Sequence, residues 1–385
     1  MSGRILFLDQ SGQPGGAELC LADTAAHLRP KSRVILFAHG PFEQLLRSRC
    51  VDVSVIEASQ RLSKIGKEAG LGSYIPALPE LAGFVVALRK ELRNSDLVYL
   101  NTAKALLYGV VAGIGSRVPS VFHLHDLLTL EHFSRLNIRL IVRAANRTRG
   151  VIANSRATAR AFQEMGGTAP VHIIPNGFDT SRFAPLSQEA VLVAREKFHA
   201  GSAPVAAVFG RIARWKGQDL LLRAASGIPD LRVWIIGEPF FTGDDHRYAG
   251  ELKALASSPA LAGRVEFLGQ RDDIPLLMQA ADVIVHTSVA PEPFGRVVAE
   301  GMLSGRPVVA SRAGGPAEMI RHGETGWLYS PGDAGELASS LEHVLAMPDR
   351  GRATGLLASD QARKQYSLSQ VLDQTDRVLS GLSSL

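Results

Sequence analysis

The segment HTSVAPEPFGRVVAEGMLSG, from His286 to Gly305, combines the signals that organise the rest of the chain. It begins with the end of an apolar run, DVIVHTS (282–288), which is typical of a buried parallel strand. A short proline-containing loop follows. The apolar spacing after this loop predicts a helix that begins near Phe294 and ends at Gly305. Strand, loop and helix in this order are the unit from which alternating α/β sheets are built.

Two glutamates frame this loop and helix. Glu292 lies in the loop, and Glu300 follows eight residues later. A helix turns about 100° and rises about 1.5 Å per residue, so Glu300 lies about two turns along on roughly the same side. Between the glutamates, the backbone N–H groups of Phe294 and Gly295 lie at the positive end of the helix dipole, where an anion binds. One ligand with hydroxyls at both ends and a diphosphate in the middle fits this spacing, although a solvated helix face gives the same pattern.

Length and composition bound the class of protein. The chain has 385 residues, of which 46% are hydrophobic and 21% charged, which suits two ordinary domains with substantial cores. No uncharged apolar run approaches the roughly 18 residues that a membrane span needs. Cys20 and Cys50 are too few for a disulfide framework and have no histidine partners at zinc-site spacing. The first residues do not have the pattern of a signal peptide, so we expect a cytoplasmic protein.

The formal charge is divided unevenly, with +7 on residues 1–180 and −2 on residues 181–385. Four arginines recur at every fourth position of one predicted helix in the basic half: Arg135, Arg139, Arg143 and Arg147. No acidic residue follows Glu131 in this segment. Such a stripe suits an anionic lipid surface or a lipid-linked diphosphate, whereas solvated arginines or internal ion pairs are the alternative. We expect peripheral contact with the inner face of an anionic membrane through the basic half.

Short apolar runs alternate with helical stretches along the whole chain. Seven runs predict strands in the first half: 4–9, 33–39, 51–57, 96–101, 119–126, 150–155 and 171–176. The turn-rich segment GFDTSRFAPLSQ (177–188) suits a linker. Six more runs follow: 204–210, 231–238, 264–270, 282–288, 306–311 and 326–331. Apolar strands separated by helices indicate parallel sheets covered on both faces, so we predict an α/β fold with two doubly wound, Rossmann-like domains at 1–180 and 181–366.

Ordered motifs over nearly the whole chain carry a family resemblance. GRIARWKG (210–217), EPFGRVVAE (292–300) and GGPAEMI (314–320) follow one another in the second half. Together they resemble the retaining, nucleotide-sugar-dependent glycosyltransferases of the GT-B fold, family 4 or glycosyl transferases group 1. The resemblance implies two facing domains with the active site in the cleft at their strand ends, and a C-terminal helix (367–385) that packs back onto the first domain.

The same resemblance implies the reaction. A hexose would pass from a nucleoside diphosphate sugar, GDP- or UDP-linked, to a glycan or lipid-linked acceptor with retention of configuration, as in the synthesis of bacterial polysaccharides and envelope glycans. In this family retention is usually explained by front-face attack, in which the leaving phosphate takes the acceptor proton and no protein nucleophile is needed.

The donor residues follow from motif position. Arg211 and Lys216 carry two cations that can neutralise a diphosphate as the leaving group departs, and the resemblance makes them a diphosphate clamp. The resemblance also implies that Glu292 binds the sugar hydroxyls and that Glu300 binds the ribose. The remaining donor-binding positions of this segment are Phe294, Gly295 and Val297.

Two features of the first domain are also assigned to the site. His125 ends a predicted strand beside Asp126, and the resemblance makes it contact the transferred sugar. We interpret it as a stabiliser of developing positive charge and not as a base, and we interpret His123 as structural. Gly15 and Gly16 precede a helix, and the resemblance brings them near the donor diphosphate and the acceptor. Their loop lacks the patterns of dinucleotide-binding and ATPase loops.

The loop GQRDDIP (269–275) follows another strand and, by resemblance, holds the nucleoside base. We therefore assign Arg271 and Asp273 to the base. An aspartate that accepts from two N–H groups of guanine would favour a GDP-sugar, but an aspartate here equally suits capping of the next helix. Neither Asp272 with Asp273 nor Asp244 with Asp245 has the D-x-D spacing of metal-dependent transferases. We expect neither a metal nor another cofactor.

Other functions stay open. A nucleotide-sugar epimerase or a glycan phosphorylase can use a similar scaffold, although no lysine stands out as the attachment point for pyridoxal phosphate. A non-catalytic nucleotide-sugar-binding protein would bind the donor without turnover. Nucleic acid binding has little support, because only 6% of residues are aromatic and they do not alternate with the basic ones.

Overall fold

Two parallel sheets organise the computed structural model, which describes residues 3–64, 78–240 and 243–383. The chain divides into two units, one formed by Met1–Gly177 with Ser369–Leu385 and the other by Phe178–Leu368. Each unit contains one sheet with helices packed against it. The predicted α/β architecture of two doubly wound parallel sheets is confirmed.

The first sheet has seven parallel strands in the order β3-β2-β1-β4-β5-β6-β7. Their bounds are β1 Ile5–Asp9, β2 Ser32–Leu36, β3 Asp52–Val55, β4 Leu97–Leu100, β5 Ser120–Leu124, β6 Gly150–Ala153 and β7 Val171–Ile173. β1, β4 and β6 are buried at every position, as expected for central strands covered on both faces. These three strands lie within the runs that predicted them, whereas β2 begins one residue before its run.

Helices cover both faces of this sheet because successive side chains of a strand point to opposite sides. From β1, Leu6 and Leu8 join one apolar cluster, and Ile5 and Phe7 join the other. The helices are α1 Gly16–His27, α2 Pro41–Ser48, α3 Gln60–Lys64, α4 Leu78–Leu92, α5 Ala103–Ala112, α6 Arg135–Ala145, α7 Arg156–Glu164 and, at the end of the chain, α16 Leu368–Ser383. Leu379 of α16 lies in the same cluster as Ile5. Residues 384–385 of the predicted last helix lie outside the described residues.

The second sheet has six parallel strands in the order β10-β9-β8-β11-β12-β13. Their bounds are β8 Val205–Phe209, β9 Arg232–Ile236, β10 Val265–Gly269, β11 Val283–His286, β12 Val308–Ser311 and β13 Trp327–Tyr329. The helices are α8 Gln188–Lys197, α9 Gln218–Ser226, α10 Gly243–Ala256, α11 Ile274–Ala280, α12 Arg296–Leu303, α13 Pro316–Met319, α14 Ala334–Ala346 and α15 Pro348–Tyr366. The predicted linker contains a short 3₁₀ helix, Thr180–Phe183, whose Phe183 is buried. Within the described ranges, no helix has both the length and the apolar character needed to cross a membrane.

Candidate active site

Two loops of the second unit lie against each other beyond the carboxyl ends of β8 and β11, which are neighbours in the sheet. Thr287 Oγ1 donates to the carbonyl of Lys216 over 2.6 Å, and the Val289 N–H donates to the carbonyl of Trp215 over 2.9 Å. Gly217 has a φ of +61°, and a Cβ there would lie 2.5 Å from the Thr287 carbonyl oxygen. This close approach requires glycine and fixes the position of Lys216 next to it.

Glu292 is held at this junction by one of its two carboxylate oxygens. Oε1 accepts hydrogen bonds from Lys216 Nζ, from Ser288 Oγ and, over 2.9 Å, from His286 Nε2. The residue is only 7% exposed. Burial alone would raise the pKa of Glu292, but the attraction of Lys216 and His286 holds this pKa well below its ordinary value. Glu292 is therefore ionised at neutral pH. No described residue donates to Oε2, which leaves that oxygen for a ligand hydroxyl.

The glycine pair of the motif GGPAEMI supports the Glu292 loop. The Gly315 N–H donates to the Glu292 carbonyl over 2.8 Å, and Gly314 forms a β-bridge with Glu292. A Cβ on Gly314 would lie 2.2 Å from the Glu292 carbonyl oxygen, and one on Gly315 would lie 2.3 Å from that of Phe294. Both glycines are therefore needed so that one backbone can pack directly on the other.

The helix that carries Glu300 is α12, which is slightly shorter than predicted. Gly295 precedes it with a φ of +91°, and no side chain caps the helix start. Phe294 is 4% exposed, and its ring packs 6.2 Å from that of Phe178 and 5.6 Å from that of Tyr366. Phe294 therefore offers only its backbone to a ligand, and half-buried Val297 packs on the same core.

Glu300 lies within 3.4 Å of the Arg296 guanidinium, and its side chain is 20% exposed. Burial raises the pKa of Glu300, while Arg296 and Arg182 act in the opposite direction. The Arg296 guanidinium also lies 4.6 Å from the centre of the Phe178 ring, which restricts its position. The two glutamates thus have different environments, because only Glu292 is bonded to several donors.

The two predicted clamp cations both lie beside one indole. Lys216 Nζ is 4.4 Å from the Trp215 ring centre and the Arg211 guanidinium is 5.9 Å from it. Arg211 is half-buried, and its carbonyl accepts from Gln218 Nε2 over 2.9 Å. Arg214, between the two cations in sequence, is exposed and forms a two-pronged ion pair with Glu251 at 2.9 and 3.0 Å.

Arg271 and Asp273, assigned to the base, are bonded to each other. Arg271 Nε and Nη2 donate to the two Asp273 oxygens over 2.9 and 2.6 Å. The hydrogen bond from Arg271 lowers the pKa of Asp273. Asp273 is the residue before α11, but its side chain makes no capping hydrogen bond. Its carboxylate is therefore bonded to Arg271 and does not cap α11, while the assignment of both residues to the base stays a prediction.

The first unit contains a cavity of about 480 Å³ that opens among the strand ends and α1. Gly16, Glu18, Lys104, His125 and Asp126 are among the residues that line it. Gly15 lies just before α1 and donates its N–H to Glu18 Oε2 over 3.0 Å. Burial lowers the pKa of the Lys104 ammonium. The cavity thus presents both carboxylate and amine groups to a polar ligand.

His125 is connected to two buried residues that the sequence interpretation missed. Its Nε2 lies 3.0 Å from Asn101 Oδ1, and Asn101 Nδ2 donates to Asp9 Oδ2 over 2.6 Å. Asp9 and Asn101 are both fully buried. Burial, reinforced by Glu18, raises the pKa of Asp9 to about 7. Both residues could have been found as polar side chains at the carboxyl ends of apolar strands, and His286 and Ser288 carry the same signal.

The His123 ring lies against that of His125, with ring centres 3.7 Å apart and the planes tilted by 38°. It is 8% exposed, and its Nδ1 is hydrogen-bonded to the Tyr99 hydroxyl. Burial and the neighbouring His125 lower the pKa of His123 well below its ordinary value, so the ring is neutral at physiological pH.

Among the described residues, no group of three or more His, Cys, Asp or Glu side chains has the arrangement of a metal site.

Comparison with protein families gives two matches that follow each other along the chain. The model described as Glycosyltransferase Family 4 matches residues 14–182, and the model described as Glycosyl transferases group 1 matches residues 193–358. Among solved structures, Anabaena Alr3699/HepE in complex with UDP-glucose is 38% identical, with a TM-score of 0.87. That alignment covers 98% of this chain and 100% of the other.

Two curated relatives match over shorter stretches. The lipopolysaccharide core biosynthesis glycosyltransferase LpsE of Rhizobium meliloti (strain 1021) is 31% identical over 51% of this chain and 54% of its own length. The D-inositol 3-phosphate glycosyltransferase of Mycobacterium sp. (strain JLS) is 34% identical over 53% of this chain and 46% of its own length. The chain thus spans about half the length of the curated relatives that it matches.

Proposed function

The chain belongs to glycosyltransferase family 4, the glycosyl transferases group 1, and on that premise we propose that it transfers a hexose from a UDP-sugar to a glycan or lipid-linked acceptor with retention of configuration. The observation that carries the proposal is the Glu292 carboxylate, which is fixed through Oε1 by Lys216, Ser288 and His286. A buried, ionised carboxylate with one oxygen left over is suited to orient sugar hydroxyls.

UDP is favoured over GDP by two observations. HepE, which is 38% identical over its whole length, has been solved with UDP and with UDP-glucose. In this chain both oxygens of the Asp273 carboxylate are bonded to Arg271, which restricts the directions from which it can accept from guanine. Uracil does not need an aspartate that accepts from two N–H groups, because it has only one such donor.

The diphosphate is the group on which negative charge grows during the reaction. We assign its neutralisation to Arg211 and Lys216, assisted by the uncapped N–H groups at the start of α12. Fixed cations in a partly dry site stabilise such charge without rearrangement at the moment of reaction. We therefore propose a reaction that uses no metal and no other cofactor. Glu300 would hold the ribose hydroxyls.

Retention is then explained by front-face attack. The acceptor hydroxyl forms its bond to the anomeric carbon on the face from which the diphosphate leaves, and the departing phosphate oxygen takes the hydroxyl proton. His125 would stabilise the positive charge that develops on the sugar. We assign the acceptor to the cavity that Glu18, Lys104 and Asp126 line together with His125.

The acceptor side is also where we propose contact with an anionic membrane. Arg135, Arg139, Arg143 and Arg147 form what we call the basic helix face, which runs along α6 to the residues just after it. All four side chains are exposed, and none makes an ion pair within the described residues. Leu130, just before α6, is 54% exposed. Exposed arginines next to an exposed aliphatic side chain suit a surface of anionic lipid.

The reaction itself can be tested with water as the acceptor. We would incubate the protein with UDP-glucose, UDP-galactose or GDP-mannose in EDTA, and follow nucleotide release and the anomer of the freed sugar by NMR. The proposal predicts UDP release and a first-formed α-anomer. A first-formed β-anomer would exclude retention. Conversion of UDP-glucose to UDP-galactose would indicate an epimerase, and sugar 1-phosphate formed only with inorganic phosphate would indicate a phosphorylase.

A further inference from the structure

Three neighbouring strands of the first sheet end in polar side chains that contact one another. Asp9 is the last residue of β1, Asn101 follows β4, and His125 follows β5 by one residue. β1, β4 and β5 are adjacent in the sheet, and the strand order reverses at β1. Ligands of such sheets bind at this reversal, so these side chains lie where a substrate is expected.

The side-chain amide of Asn101 has only one orientation that satisfies its partners. Its nitrogen lies 2.6 Å from Asp9 Oδ2 and 3.3 Å from the Ala17 carbonyl oxygen, and the carbonyl oxygen can only accept. The amide nitrogen must therefore point towards them, and the amide oxygen must point towards His125. Asp9 is itself fixed, because its other oxygen accepts from the Ser11 N–H over 2.7 Å.

This orientation determines where His125 carries its proton. Asn101 Oδ1 can only accept, so His125 Nε2, 3.0 Å away, must donate. We propose that Asp9 and Asn101 are positioning residues that keep a proton on His125 Nε2 and fix the angle of its ring. The inference rests on the proposed function, in which His125 meets the transferred sugar. An imidazole of fixed ring angle presents each of its nitrogens in one direction only.

The tautomer can be observed directly by two-dimensional NMR of protein labelled with ¹⁵N-histidine, because the two imidazole nitrogens give distinct signals for each tautomer. His125→Gln identifies the His125 signal. We expect the Nε2–H pattern in the wild type and a mixture of tautomers in Asn101→Ala. Turnover of the donor should fall about tenfold with little change in KM, since one orienting hydrogen bond is worth about 1.4 kcal/mol at most. Asp9→Asn should give a smaller change in the same direction.

Asn146→Ala is the matched control. Asn146 lies in the same unit, where its Nδ2 donates to the Gly166 carbonyl and its Oδ1 accepts from the Thr168 N–H. This variant should lose stability but keep the His125 signal and the turnover of wild type. A wild-type Nδ1–H pattern, or an Asn101→Ala signal identical to wild type, would overturn the inference. Both results are read on the imidazole and not on turnover, so they are distinct from a failure of the proposed function.

Discussion

At the residue scale, the Glu292 carboxylate is the most constrained group of the candidate site. Three donors share Oε1, and two of them, His286 and Ser288, come from the strand end just before the loop. If these donors orient Oε2 towards the sugar, removing one should disturb catalysis more than stability. We expect Ser288→Ala to lower kcat/KM about tenfold, the equivalent of one charge-assisted hydrogen bond of about 1.5 kcal/mol.

Glu292→Gln should have a larger effect than Ser288→Ala, about 100-fold or more, because it removes the charge that Lys216 and His286 face. Ser340→Ala is a suitable control, because its hydroxyl donates to a helix carbonyl in the same unit. Kinetics with UDP-glucose would distinguish these variants. A Ser288→Ala enzyme with the same kcat/KM as Ser340→Ala would show that the hydrogen bond from Ser288 to Oε1 does not contribute to catalysis.

Asp9 predicts a particular dependence of stability on pH. Its pKa is about 7 in the folded protein, against an ordinary value of 3.8. The folded state therefore holds this proton more tightly than the unfolded state. Between pH 4 and 7, the free energy of unfolding should fall as pH rises, by at most about 1.4 kcal/mol per pH unit from this group.

Asp9→Asn should remove that contribution. Urea unfolding at several pH values would measure the slope in both proteins, and the comparison cancels the other titrating groups. Equal slopes in the wild type and Asp9→Asn would contradict the raised pKa. The absolute stability of the variant is less informative, because asparagine replaces one of the two acceptor oxygens that serve Ser11 and Asn101.

The sequence suggested separate roles for residues that the structure brings into contact. Lys216 and Glu292 each follow from a motif, but a separation of 76 residues contains no information about their ion pair. The sequence left Asp273 either to the base or to the next helix end, and it did not show that its carboxylate also meets Arg271 on the same short loop. Asp9 and Asn101 belong to no quoted motif. Their only signal is a polar residue at the end of a buried strand.

At the scale of elements, strands were easier to predict than helix ends. Strands of a doubly covered sheet are apolar on both faces, so their sequences are unambiguous. The starts of α9 and α12 lie beside glycines that pack closely on another segment of the chain, and sequence alone does not show that neighbour. Gly295 lies immediately before α12, and a Cβ on it would lie 2.7 Å from the Pro316 side chain. The predicted start near Phe294 was therefore early by two residues.

The packing of Gly315 gives a stability prediction. A Cβ there would lie 2.3 Å from the Phe294 carbonyl oxygen, so Gly315→Ala must displace the Glu292 loop. We expect a loss of about 2 kcal/mol or more, in the range of strained backbone substitutions. Gly250→Ala is the matched control in α10, where a Cβ meets nothing within 4 Å, and it should stabilise by up to about 1 kcal/mol. Thermal unfolding of both variants would show opposite signs, and equal melting temperatures would contradict the packing argument.

The basic helix face predicts binding to anionic vesicles. Each arginine near such a surface contributes about 1 kcal/mol, so Arg139→Gln with Arg143→Gln should weaken binding about 30-fold. Sedimentation with phosphatidylglycerol and with phosphatidylcholine vesicles would measure this. Arg223→Gln with Arg247→Gln removes the same charge from the second unit and should change binding little. Equal losses in both double variants, or equal binding to both lipids, would contradict a specific membrane face.

At the scale of the whole molecule, the motifs predicted the family from a few ordered segments, and the matches of the two halves to family models agree with it. The nucleotide and the acceptor could not be predicted in this way. They depend on loops such as 269–275, whose side chains can bond to each other as well as to a ligand. The uneven charge, +7 in residues 1–180 and −2 in the rest, does not by itself identify a partner. The structure adds which arginines are exposed.

The most direct test of the donor site is calorimetric titration of UDP-glucose into the wild type, Arg211→Ala and Arg214→Ala in EDTA. Arg211 is assigned to the diphosphate, whereas exposed Arg214 is paired with Glu251 and serves as the matched arginine control. We predict that Arg211→Ala weakens binding at least about tenfold, the loss of one charge-assisted contact, and that Arg214→Ala binds like wild type. Equal affinity in all three proteins, or no binding to the wild type, would contradict the account.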